Sequence, residues 1–179
     1  HATSVETACT SAPAIMQATA RRTGRGACSP MPALTGSNTN LSPMRIDLHT
    51  HSAVSDPAIA AGDFAFDTLR EIHGWILQDV YPWAGQLRST DTQAMGMAHC
   101  RPAFLADELH RVFGGITTER PSPVDRESAI ATTAHHWGEL TGVHPFIDGN
   151  SRSQRVFFHR YLADAGWDID WRVIDAAVA

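Results

Sequence analysis

Cysteine is scarce in this chain of 179 residues: Cys9, Cys28 and Cys100 are odd in number, far apart and without a CxxC pair. That spacing excludes a disulfide framework and a cysteine zinc site, and reads as free thiols in a reducing compartment. Long apolar runs are also missing. None approaches the roughly 18 residues that a membrane span needs. No basic stretch followed by an apolar one opens the chain, so neither a membrane anchor nor a signal peptide is expected. A surplus of positive charge is absent too: 14 basic residues against 19 acidic leave a net charge of −5. Proteins that track nucleic-acid phosphates carry the opposite balance, so no nucleic-acid partner is expected. What remains is a mildly acidic, cytoplasmic chain with 43% apolar residues, enough for one real core.

The first 43 residues contain no aromatic side chain and are rich in Ala, Thr, Ser, Gly and Pro. Such a stretch buries too little apolar surface to offset its ordering entropy, so residues 1–43 are expected to be a disordered leader. From Asp63 the apolar residues fall at helical spacing. Phe66, Leu69, Ile72, Ile76 and Val80 mark one helix, with Asp63 as N-cap and Pro82 and Gly85 as its end. The polar stretch Leu87 to Met97 reads as a hairpin or flap. A second helix follows Pro102, with Phe104, Leu105, Leu109, Val112 and Phe113 inward and Gly114-Gly115 as its stop. A third begins at Ser122-Pro123, as N-cap and first helical residue, and buries Val124, Ala131, Ala134, Trp137 and Leu140. A fourth runs from about Ser151 to Ala165 before Gly166, and Trp171 opens one more. The expected fold is all-α, a small helical bundle with one short β-hairpin flap.

Before the fourth helix the chain reads His144-Pro145-Phe146-Ile147-Asp148-Gly149-Asn150-Ser151-Arg152-Ser153-Gln154-Arg155. A Gly/Asn/Ser turn running into a helix N-terminus exposes backbone N–H groups at the positive end of the helix dipole, which is an anion site. Arg152 and Arg155 are three apart, so both can reach one anion, and a polyphosphate would balance them. Asp148 is a carboxylate beside that site, the usual way of holding Mg²⁺ against phosphate oxygens. His144 can take a proton near neutral pH. Together these read as a bound nucleotide, a metal and a general base.

The order of these residues resembles the Fic family signature HPFx[DE]GNGRxxR. The stretch Asp79-Val80-Tyr81-Pro82-Trp83-Ala84-Gly85-Gln86-Leu87-Arg88 is similar to the segment preceding the flap in that family. The resemblance covers about residues 61–171, within a Fic-like domain of residues 44–179. It implies a Fic-like fold and transfer of AMP from ATP to a Tyr, Thr or Ser hydroxyl of a target protein. His144 would then be the base, Asp148 the Mg²⁺ ligand, and Asn150 with the loop amides of Gly149 and Ser151 the α-phosphate site. Arg152 and Arg155 would hold the outer phosphates, and Phe146 would fix the loop from the core. Ser89, Thr90, Asp91 and Thr92 open the flap that would align the target chain by strand addition.

Ser151 stands where the family has its second glycine, which bears on nucleotide geometry. Two other readings stay open: a Doc-like phosphotransferase, and a nucleotide-binding or interaction module without catalysis. Doc-type relatives carry Ala-Asn-Lys in place of Gly-Asn-Gly, so Gly149 favours AMP transfer. Many relatives are silenced by a helix bearing [ST]xxxE[GN]. None of Glu6, Glu71, Glu108, Glu119, Glu127 and Glu139 sits in that pattern, so the chain is either unregulated or inhibited in trans by an antitoxin-like partner facing Arg155. The expected place is the cytoplasm, and delivery into another cell is compatible with these residues.

Histidines elsewhere get plainer readings. His135 and His136 are expected at the edge of the core, and Trp83, Trp137 and Trp167 within it, one of them within reach of an adenine. The segment Met44 to Asp56, with His49-x-His51, resembles the opening strand of PHP-family metal phosphoesterases, but the ligands such a site needs do not follow.

Overall fold

In the computed structural model of the chain, residues 20–22, 50, 52–53, 63–94 and 96–171 are described. Four α-helices and two small antiparallel strand pairs make up the described part. The first helix, α1 (Phe66–Leu77), buries Leu69, Ile72, His73, Ile76 and Leu77 along one face. It starts later and ends earlier than its apolar spacing predicts. Ala65 is its N-cap, without a side-chain bond, while Asp63 accepts the Ala65 N–H at 3.0 Å, two residues on. Val80 falls in a turn whose N–H bonds back to Leu77.

The flap is a hairpin of two-residue strands, β2 (Gln93–Ala94) and β3 (Met97–Ala98), with Ala94 opposite Met97. Gly96, at φ 79°, supplies the positive φ that so tight a connection requires. A 3₁₀ turn, Pro102–Phe104, leads into α2 (Leu105–Thr118). This helix runs through Gly114 and Gly115, against the expectation that they stop it. Gly115 packs against the His136 ring, where a Cβ would lie 3.2 Å from Cε1, and buried Ile116 holds the next turn in the core. Tertiary packing there outweighs the roughly 1 kcal/mol that each glycine costs a helix. Phe104, expected inside, is 56% exposed.

The third helix, α3 (Arg126–Val143), is capped by Asp125, whose carboxylate accepts the Glu127 and Ser128 N–H groups. Ser122, the expected cap, accepts instead from the Val124 and Asp125 N–H groups, forming a turn three residues before the observed cap. Val124 therefore precedes the helix and is 82% exposed, and Ala131 faces outward, while Ala134 and Leu140 are buried as expected.

The central helix is α4 (Asn150–Asp164). It packs on α1, α3 and β4 (Trp167–Ile169). Val156, Phe157, Phe158, Tyr161 and Leu162 are at most 2% exposed, and burying each stabilises the fold by about 1.5–3 kcal/mol. This makes α4 a rigid platform for the loop at its N-terminus. Gly166, at φ 84°, ends the turn after it as expected.

Two features were not anticipated. β4 is a strand, and it pairs antiparallel with β1 (Ala20–Arg22), which comes from the stretch read as a disordered leader. The rest of that stretch lies outside the described residues, as do His49 and His51. Among the described residues, no helix is long and apolar enough to cross a membrane.

Candidate active site

The loop between α3 and α4 is built by residues that lock it from three sides. His144 ends α3 in the left-handed region, at φ 51°, with its N–H on the Leu140 carbonyl. A β-carbon makes that conformation costly, and such outliers persist where surrounding contacts over-determine them. Phe146 is fully buried and stacks on the His73 ring at 3.8 Å. Asn150, 3% exposed, accepts the Phe146 N–H at 3.0 Å and donates to the Phe146 carbonyl at 2.8 Å. The carboxamide expected to meet a phosphate is therefore committed to closing the loop on itself.

Gly149 is the N-cap of α4, at φ 76°. A Cβ on it would lie 2.6 Å from Leu77 Cδ1, so both backbone and space demand glycine. Its N–H donates to Asp148 Oδ1 at 2.7 Å. No side chain caps α4 and no acidic residue stands in its first turn, so its positive end faces outward.

Two buried residues behind the loop carry more of its geometry than their sequence contexts announce. His73 is fully buried. Its Nδ1 accepts the Gly85 N–H at 2.8 Å, so its Nε2 carries the proton and donates to the Asp148 carbonyl at 2.9 Å. Burial pushes its pKa below the usual histidine value, keeping the neutral tautomer that both bonds need. Arg88, 3% exposed, spreads its guanidinium over backbone carbonyls: His144 at 2.7 Å, Thr90 at 2.8 Å, Val143 at 3.1 Å, and Cys100. Its own N–H reaches the Pro145 carbonyl at 3.0 Å. One side chain thus joins the loop, the end of α3 and both arms of the flap. It stood at the end of the segment similar to the pre-flap stretch, but nothing in its spacing marked it.

In front of the loop lies a cleft of about 430 Å³ lined by His144, Ile147, Asp148, Gly149, Asn150, Ser151, Arg152 and Arg155. The sequence-predicted loop residues all reach it. Arg152 is exposed, and the Arg155 guanidinium lies 5.3 Å from the Trp171 ring centre. None of Trp83, Trp137 and Trp167 lines the cleft. Trp83 stacks on Tyr81, Trp137 stacks on Phe158, and Trp167 donates to the Ser122 carbonyl.

His144 stands at the cleft wall with its ring flat against His99, at 3.8 Å and 8°. Burial, the His99 ring and the Arg88 guanidinium push its pKa down to about 4, against the pull of the Thr141 backbone and Asp148. At neutral pH it is an uncharged imidazole, the form that accepts a proton. Ser89, Thr90 and Asp91 lie exposed on the segment that bends at Thr90 and leads into β2, and Thr92 is half-buried at the hairpin base. Away from the cleft, His135 is exposed and His136 is buried. They form with Glu139 a group of potential metal ligands, but Glu139 is paired with Arg111 at 2.6 Å. The arrangement as a whole can seat an oligophosphate, hold a divalent cation at its edge and take a proton from a group laid along the flap.

The profile of the Fic/DOC family matches residues 63–162. The chain is 30% identical over 108 residues to the probable protein adenylyltransferase Fic of Escherichia coli (strain K12), covering 60% of this chain and 54% of the relative. It is 32% identical over 115 residues to the probable protein adenylyltransferase y4lH of Sinorhizobium fredii (strain NBRC 101917 / NGR234), covering 63% and 60%. The chain thus spans little more than half the length of these relatives. Its fold is similar to the N-terminal Fic domain of a VirB-translocated Bep effector protein from Bartonella quintana with bound ADP, at a TM-score of 0.66 and 22% identity over 76% of this chain and 72% of that one.

Proposed function

Because this chain belongs to the Fic/DOC family, we propose that it transfers AMP from ATP to a Tyr, Thr or Ser hydroxyl of a target protein. The observation that carries the reading is the juxtaposition of a neutral imidazole, His144, with a cleft whose floor is an uncapped helix N-terminus bearing Arg152 and Arg155. His144 accepts the proton of the target hydroxyl, and that oxygen then attacks the α-phosphorus of ATP. The bond from the α-phosphorus to the bridging oxygen breaks, and pyrophosphate leaves. Backbone N–H groups at the start of α4 meet the charge that builds on the α-phosphate. Arg152 and Arg155 hold the outer phosphates. Asn150 acts through the loop, by keeping Phe146 and the turn in place.

The donor set fits Mg²⁺. Asp148 is an exposed carboxylate at the cleft rim, with one oxygen engaged by Gly149 N–H and the other available. Mg²⁺ needs only one or two carboxylates beside phosphate and water. When bound, it would neutralise charge on the leaving phosphates. The relatives named adenylyltransferases and the Fic domain solved with ADP support the nucleotide assignment. A target would lie along Ser89, Thr90, Asp91 and Thr92 and add to the flap by backbone pairing. An inhibitor acting in trans would meet Arg155 at the cleft wall.

Incubation with a lysate and ATP labelled at the α- or the γ-phosphate tests this reading. Label is expected from α only. Label from γ would instead indicate a kinase, and ATP binding without label a non-catalytic module.

Ser151 is compatible with this chemistry. It lies in the first turn of α4 and, among non-glycine described residues, positive φ occurs only at Phe64 and His144, so no glycine is needed there. Ser151→Gly is expected to leave the transfer rate within about threefold, while lowering stability by no more than about 0.5 kcal/mol, since Ser already ranks below Ala as a helix former. Steady-state kinetics and thermal melting check the two effects.

A further inference from the structure

We propose that His99 is a positioning residue for the base, holding the plane of the His144 ring and linking it to the target-binding flap; this rests on the AMP-transfer reading above. An imidazole base is ordinarily oriented by a hydrogen bond at its second nitrogen. His144 has little of this: its Nδ1 is buried and makes no well-formed hydrogen bond among the described residues, although the Thr141 backbone lies close enough to act on the ring. What fixes the ring is a face. The His99 imidazole lies parallel to it, with centres 3.8 Å apart and 8° between planes.

His99 is itself held. Its Nδ1 is hydrogen-bonded to the Thr92 hydroxyl at 2.9 Å, and its backbone N–H donates to the Thr92 carbonyl at 3.0 Å. Those two bonds close the base of the β2–β3 hairpin. Thr92 and His99 are thus on the two arms of the element along which a target chain would lie, one on each side. The hairpin that receives the target also sets the plane of the group that deprotonates it. Two imidazoles face to face tolerate this contact best when both are uncharged, and burial and Arg88 favour that form for His99 as for its neighbour. His99 makes no contact with reacting atoms in this scheme; it acts through His144.

The test compares the unaltered protein with His99→Ala, His99→Phe and Thr92→Val in AMP transfer from α-labelled ATP, alongside proton NMR of the His144 ring. His99→Ala is expected to lower kcat about tenfold, part of the contribution of a well-placed base, with KM for ATP within twofold. His99→Phe, which keeps a flat ring in place, is expected to recover most of the rate, and Thr92→Val to fall between. Unchanged kcat in His99→Ala overturns the proposal. So does a parallel loss of ATP binding, or a Phe variant as slow as the Ala variant. The His144 ring protons are expected to show a ring-current shift that His99→Ala removes; no such shift would overturn the stack itself. That readout stands even if the unaltered protein transfers no AMP, an outcome that would defeat the AMP-transfer reading alone.

Discussion

His144→Ala is expected to lower AMP transfer by about 10²–10⁴-fold, the range that a positioned general base contributes, while ATP binding stays within a few fold. The separation follows from where the groups sit. The phosphate site is made by the N-terminus of α4 with Arg152 and Arg155, and the imidazole stands on the wall beside it. Removing the ring removes a proton acceptor and no phosphate ligand. The pH dependence of kcat/KM, which reports the free protein, provides a second check. The working form is the neutral imidazole, and its pKa is pushed down to about 4. Protonation therefore silences the base only as pH falls through about 4. The rate is expected to stay level through 6.5, where an ordinary histidine would titrate. An acid limb centred near 6.5 in the unaltered protein would mean that the buried, His99-stacked geometry does not describe the working base. Equal transfer by His144→Ala and the unaltered protein would remove His144 from the chemistry.

Much of the fold was legible because helices repeat locally. The apolar spacing around Leu69, Ile72 and Ile76, and around Leu109, Val112 and Phe113, located two helices whose inner faces the structure bears out. The loop was legible for a similar reason. Gly149, Asn150 and the paired arginines are contiguous, and their chemistry follows from being next to a helix start. The misreadings share one cause, which is dependence on distant neighbours. Gly114 and Gly115 read as a stop because nothing local shows that Gly115 must admit the His136 ring. The bonds that Asn150 makes to the backbone of Phe146 were equally out of sight, because the two residues meet only once the turn closes. Strand β4 is too short to carry alternation, and its partner lies nearly 150 positions upstream in a stretch without aromatics. His73, Arg88 and His99 carry no local mark of what they do, because it rests on partners such as Asp148, His144 and Thr92, which lie 75, 56 and 7 positions away.

Arg88→Ala is expected to cost about 3 kcal/mol of stability, since a buried acceptor stripped of its donor costs about 1–3 kcal/mol, and one buried and three part-buried acceptors are stripped at once. The His144, Thr90, Val143 and Cys100 carbonyls would face a cavity where the guanidinium stood. Water entering that space offsets part of the loss, so the four costs do not simply add. For the ordered core this corresponds to a fall in Tm of about 10 °C or more, measurable by circular dichroism. Arg88→Lys is expected to restore little. An ammonium is a point charge on a flexible stem and cannot span carbonyls that lie in several directions from a planar fork. The damage should also be local and readable as such. The flap would lose its bonds at Thr90 and Cys100, so protease cleavage is expected to rise within the hairpin before it rises in α4, whose Phe157, Phe158 and Tyr161 stay buried. An unchanged Tm, or a flap no more sensitive to protease, would show that the buried guanidinium does not hold these elements together. The same substitution releases the His144 carbonyl that Arg88 grips at 2.7 Å. Transfer should therefore fall even at temperatures where the chain is fully folded, because the base loses its backbone anchor along with the flap that presents the target.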